Sequence, residues 1–194
     1  MRCSFALLLC TLGSVLASCQ FAPTVTTAAA PRFDVRKYEA VVVAVDGGDS
    51  RRGRTSSSAV PADVRNTLEE LFKTEMLKRS VRVAAHDQMQ AVLQQHGQNV
   101  AEYSSEAIRA IGAATTTDAI LRVSVVRYQQ VRGQYQSVTH HGTVAVALID
   151  IESCEEVWRA QADTTRSEDL TELPGWLMNA WPVAPLEGAR AVPD

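Results

Sequence analysis

The sequence predicts an α/β or α+β sandwich, a single domain in which a mixed β-sheet is packed with about three helices. Three observations predict it. The run Ala40-Val41-Val42-Val43-Ala44-Val45 is continuously apolar, the pattern of a strand covered on both faces. Val64, Leu68, Leu71, Phe72 and Met76 recur at helical spacing and so share one face of a helix. Further on, Leu121, Val123 and Val125 alternate with Arg122 and Ser124, and Val144, Val146 and Leu148 alternate with Ala145, Ala147 and Ile149. Such alternation is the period of a strand.

The elements follow in order. Asp46-Gly47-Gly48 ends the first strand, and residues 47–59, rich in Gly, Ser and Arg, read as a long exposed loop. Pro61 stands where helices start, and Ser80 marks the end of the helix that follows. Val81-Arg82-Val83-Ala84 alternates as a short strand. Asp87 can cap a second helix carrying Met89, Val92 and Leu93, with a stop at Gly97. Ser104 or Ser105 can cap a third, with Ile108 and Ile111 inward and an end at Gly112. An antiparallel meander comes next, with Gly133 at a hairpin turn, a turn near Glu152-Ser153, and a last strand in which Glu156, Trp158 and Ala160 alternate with Val157, Arg159 and Gln161.

The ends of the chain carry different information. One charge, Arg2, precedes an apolar run from Phe5 to Leu9 that resumes at Leu12, Val15 and Leu16, as in a secretory signal. The run is shorter than the roughly 20 residues a helix needs to span a bilayer. Leu16-Ala17-Ser18-Cys19 resembles the lipobox of bacterial lipoproteins. That resemblance implies that residues 1–18 are removed and that Cys19 takes a diacylglyceryl group and, on its new amino group, an acyl chain. Gln20 stands where lipoproteins kept in the inner membrane commonly have Asp, so the resemblance favours the outer membrane, periplasmic face. Two or three acyl chains, at about 0.8 kcal/mol per CH₂, anchor a protein almost permanently. Residues 19–37, dominated by Ala, Thr and Pro up to Pro31, read as a flexible tether, residues 38–181 as the domain, and residues 182–194 as a loose tail.

Losing Arg2 takes the formal charge from −3 to −4, without a basic block. Arg51, Arg52 and Arg54 are the nearest approach to one, and a solvated loop accounts for them, so no nucleic-acid partner is expected. Cys3 and Cys10 leave with the signal and Cys19 is spent on lipid, which leaves Cys154 alone and unable to form an intramolecular disulfide. Its neighbours Glu155 and Glu156 disfavour a thiolate, so it is read as structural.

From residue 38 onward the pattern looks like one superfamily. The apolar strand from Ala40 to Val45, the helix from Ala62 to Arg79, Val81-Arg82-Val83, Ile111-Gly112-Ala113 leading to Asp118-Ala119-Ile120-Leu121, and Val144 to Asp150 followed by Glu155-Glu156-Val157-Trp158 carry the resemblance. The superfamily is that of periplasmic lipoproteins including CsgG of curli secretion, PelC of exopolysaccharide secretion and the amino-terminal domain of TolB. It implies a mixed sheet with packed helices and a role in envelope assembly or export, often as a ring of identical subunits. It supplies no catalytic residues. Tyr128 to Thr143, interrupted by Gln129, Gln130, Arg132, Gln134, Gln136, His140 and His141, lacks the lipid-facing side of a membrane strand, so a self-made pore is not expected.

Chemistry is sparse. Adjacent histidines on a strand point to opposite faces, so His140 and His141 cannot converge on one metal, and His86 and His96 sit near the two ends of a predicted helix. Gly47-Gly48 lacks the Lys and Ser/Thr of a nucleotide loop, and neither a Gly-x-Ser-x-Gly elbow nor a His-Glu-x-x-His helix occurs. Neither cofactor nor catalytic residue is expected. Leu170, Leu173, Trp176, Leu177 and Trp181, divided by Pro174, read as two short helical pieces that dock on the domain, or as a docking site in which Trp176, Leu177 and Trp181 bind a neighbouring subunit or partner. The sequence thus predicts a lipid-anchored, non-catalytic envelope protein acting in assembly, export or secretion, self-associated or in a partner complex. The alternative is a periplasmic ligand-binding or hydrolytic lipoprotein.

Overall fold

In the computed structural model, residues 23–31, 33–46, 60–96, 103–132, 137–164 and 169–182 are described. Six strands form one sheet: β1 (Val25–Ala29), β2 (Ala40–Asp46), β3 (Arg82–Val83), β4 (Ala119–Arg132), β5 (Val138–Asp150) and β6 (Glu156–Asp163). Their spatial order is β1-β6-β5-β4-β2-β3, parallel across β3, β2 and β4 and antiparallel from β4 to β1. This is the mixed sheet expected. The helices are α1 (Ala62–Lys78), α2 (His86–Gln95), α3 (Ser105–Thr115) and α4 (Leu173–Asn179), with single 3₁₀ turns at Val35–Lys37 and Leu170–Glu172.

β2, between β4 and the two-residue edge strand β3, is buried on both faces, so its side chains divide between two cores. Val41, Val43 and Val45 join Val64, Leu68, Phe72 and Met76 of α1 with Trp158, Leu173, Leu177 and Trp181. Val42 and Ala44 join Met89, Val92 and Leu93 of α2 with Ile108 and Ile111 of α3. Each such side chain, fully buried, contributes about 1.5–3 kcal/mol of hydrophobic stabilisation. Helix α1 follows Pro61, as its sequence position predicts, and Ser80 ends that segment with a positive φ of 60°. The Ser104 hydroxyl accepts from the Ala107 N–H and caps α3. Gly112 is required because a Cβ there would collide with the Ile151 side chain, which lets α3 lie directly on the β5–β6 turn.

Three expectations change. Residues 25–29 are not tether: β1 pairs with β6 from Val25↔Ala162 to Ala29↔Trp158, and Phe33 and Val35 pack against the larger core. A ladder partner supplied by tertiary structure overrides a composition poor in large side chains. Helix α2 begins at His86 with Ala85 as its uncapped N-terminus, so Asp87 lies inside the first turn and favours the helix through its dipole rather than as a cap. Helix α3 does not stop at Gly112 but runs to Thr115 and is closed by Thr116 in the left-handed region, with φ 52°. The C-terminal segment forms the two short helical pieces expected, with Pro174 in the first turn of α4, where the missing N–H removes no helical bond. The signal segment with Cys19, the 47–59 loop, Gly97, the turn at Gly133 and residues 183–194 lie outside the described residues.

Candidate functional site

The three C-terminal residues read as a docking site separate in the structure. Leu177 is fully buried and Trp181 is 4% exposed, whereas Trp176 is 38% exposed. Trp181 sits edge-on to Trp158 at a centroid distance of 5.0 Å and edge-on to Phe33 at 6.3 Å, and Phe33 stacks on Tyr38 at 5.7 Å. These are favourable aromatic geometries, each adding about 0.5–1.5 kcal/mol beyond burial. The chain's own core thus takes Leu177 and Trp181, a correction to their reading as partner contacts; Trp176 alone of the three stays available. Arg79, whose guanidinium donates to the Met178 carbonyl at 2.6 Å, ties α4 to the end of α1.

At the end of the sheet where β5 turns into β6, the Asp150 carboxylate is buried and accepts from Lys37 Nζ at 2.8 Å and the Tyr38 hydroxyl at 2.9 Å. Its other oxygen accepts from the Ser153 N–H at 2.8 Å and the Ser153 hydroxyl at 3.1 Å. Burial pushes this carboxyl upward, but the Lys37, Ser153 and Tyr38 hydrogen bonds outweigh it and hold the group at about 2. Tyr38 is pushed up to about 12, by burial first and by its bond to Asp150 second. Lys37 also reaches Glu152 at 2.9 Å and is raised above the ordinary lysine value, chiefly by its bond to Asp150. Every polar group here is engaged, so the cluster clamps the incoming chain to the turn rather than offering an acid or base to a substrate. Asp118 acts similarly nearby, accepting from the N–H groups of Glu39 and Ala40. A signal for the clamp was present in the sequence, since a carboxylate ending a fully apolar strand requires partners.

The remaining candidates are also accounted for. Cys154 holds a positive φ of 59° in the turn, and its thiol points at the carbonyls of Ile151 at 3.5 Å and Ser105 at 3.6 Å. The His140 ring stacks on Tyr128 at 5.8 Å, with its Nδ1 2.8 Å from the Tyr128 hydroxyl. Its backbone N–H donates to Asp169 at 2.8 Å. His141 lies on the opposite face, paired across the ladder with Gln129. His86 approaches Glu69 and the Val43 carbonyl, each at 3.3 Å, and Gln90 at 2.9 Å; His96 closes α2. Among the described residues no group of three His, Cys, Asp or Glu is placed to hold a metal ion, and no helix is long and apolar enough to cross a membrane.

Beyond the core, β4 and β5 continue as a two-stranded hairpin from the irregularity at Val125/Arg127 out to the Arg132↔Val138 pair. Gly142 at its base is obligatory, because a Cβ would strike the Arg127 carbonyl and the Leu170 side chain. On the hairpin Val126 is 60%, Val131 37% and Val138 44% exposed.

No family model and no curated protein matches the chain. Among solved structures, the chain is similar to the PelC dodecamer from Paraburkholderia phytofirmans, at 15% identity over 81% of this chain and 92% of that one with a TM-score of 0.44. It is also similar to the LpoB C-terminal domain from Escherichia coli, at 16% identity over 69% and 88% with a TM-score of 0.44, and to lipoprotein GNA1162 from Neisseria meningitidis, at 13% over 73% and 93% with a TM-score of 0.45.

Proposed function

We propose that the protein is a non-catalytic lipoprotein of the cell envelope, acylated on Cys19 and held on the periplasmic face of the outer membrane, where it acts in assembly or export through contact with copies of itself or with a partner. The observation that carries this is Leu16-Ala17-Ser18-Cys19 ahead of a folded domain, since it resembles the lipobox, in which the Cys is the acceptor of lipid. Acyl chains fix position rather than chemistry. Trp176 adds a point of contact, because a large aromatic left half-exposed on a helix that otherwise completes the core is the kind of anchor interfaces use.

The test has two parts. Intact-mass analysis of the protein from washed envelopes is expected to show a diacylglyceryl-modified chain beginning at Cys19, and Cys19→Ser is expected to abolish both the modification and retention. Native mass spectrometry of the lipid-bearing protein in detergent is expected to show multimers or a co-purified partner that Trp176→Ala weakens. A strict monomer without partners at every concentration would overturn the assembly reading.

A further inference from the structure

The exposed hairpin projects from the end of the sheet at which β1 enters. β1 enters at Val25, opposite Ala162, and Ala162 in turn pairs with Val144, the residue at which β5 leaves the hairpin and joins the core sheet. From that level β4 runs on from Val125 to Arg132, seven residues, or about 23 Å at the rise of a strand. Cys19 and Val25 are six residues apart, which limits the reach of the connecting chain to about 20 Å however it is arranged. The hairpin is therefore as long as the leash. With the hairpin turned from the bilayer, the same six residues would have to run back along the sheet before meeting lipid.

Charge points the same way. The chain has 22 acidic residues, yet none falls between Asp118 and Asp150, while Arg127 and Arg132 lie on the hairpin. Acids do face its base: Asp163 pairs with Arg127 at 3.4 Å, Asp169 accepts from the His140 N–H, and Asp63 lies near Tyr128. The part beyond that base carries exposed Val131, Val138 and Arg132. Apolar side chains interleaved with cations suit a surface of anionic headgroups.

We propose that this β4–β5 hairpin is a membrane-contact element that rests on the anionic headgroup layer beside the lipid anchor, through Val131, Val138 and Arg132. It rests on the reading of Cys19 as lipid-bearing. Contact of this kind sets the orientation of the domain, standing the sheet upright on the bilayer with the Asp150 turn furthest away.

The mature lipid-bearing protein, with Cys154→Ser and a single label at Val131→Cys or at Leu77→Cys, is reconstituted in vesicles of phosphatidylethanolamine and phosphatidylglycerol. Leu77 is exposed near the opposite end of α1 and serves as the control. A headgroup-attached quencher is expected to quench the label at position 131 at least about twofold more than that at 77, and phosphatidylcholine vesicles or Arg132→Gln to shrink the difference. Equal quenching in protein that floats with the vesicles would overturn the hairpin contact and leave the anchor intact. Failure to float, with label on Cys19 as well, would instead overturn the lipidation reading. Pyrene excimer emission from position 131 in detergent would assign the hairpin to contact between copies, which also overturns the proposal.

Discussion

At the Asp150 end of the sheet, the turn, the entering chain and the C-terminal helix are locked together. Asp150 binds Lys37, Tyr38 and Ser153, and Phe33, Trp181 and Trp158 close the apolar layer beneath. At the hairpin end, the same two central strands run out of the core as a ladder with its valines in water. Both ends are built from β4 or β5, so strand propensity does not separate them. What differs is whether other parts of the chain return to cover the strands. Near Asp150 the segments before β2 and after α4 come back; among the described residues, Asp169 and Leu170 reach the hairpin at its base. Among the described residues, stabilising contacts are thus concentrated at one end, and the valines of the other meet solvent.

Substitutions should sharpen that contrast. The largest effect is expected from Trp181→Ala, which empties an aromatic site touching Trp158 and Phe33 and should cost about 3–5 kcal/mol, read as a lower urea midpoint. Gly142→Ala comes next, at about 1–3 kcal/mol, because the new methyl group must displace the Arg127 carbonyl or the Leu170 side chain. This change strikes the base of the hairpin and would show that the open end is pinned there.

Asp150→Asn should cost ~2 kcal/mol near neutrality and flatten the acid limb of the stability profile. The folded carboxyl is held at about 2, below its ordinary 3.8, so its contribution is fully present above that ordinary value and lost as pH falls through the folded one. Urea unfolding of the two proteins across that window should bring their stabilities together at the acid end. A constant gap would remove Asp150 from its place in the clamp. Smallest of all, Val131→Ser should change stability by less than about 0.5 kcal/mol, since its side chain meets water in the free domain. A large loss there would erase the distinction between the ends.

The same contrast marks what could be read from residues in order. α1, α3 with its Ser104 cap, β2 and the alternating β4 and β5 were legible because each carries its period locally, in positions such as Val64 and Leu68 or Val144 and Val146. β1 was not. Its Val-Thr-Thr-Ala-Ala offers little to bury, although its β-branched start and the large Phe33 after Pro31 were signals that the segment belongs to the fold. The C-terminal segment was legible as apolar, but its division into buried Trp181 and half-exposed Trp176 was not, since both are tryptophans five residues apart.

The sequence alone determined the two-sided burial of β2, the helical face of α1 and the lack of an acid between Asp118 and Asp150. Each of these depends on neighbours within a few turns or residues of the chain. Tertiary structure alone decided that β1 completes the sheet beside β6, that Asp150 clamps Lys37 and Tyr38 across more than a hundred residues, and that β1 enters the sheet at the end from which the hairpin projects. Those relations come from strand order and register, which are fixed when distant segments compete for the same edge and the same core, and local pattern cannot choose between segments it does not bring together.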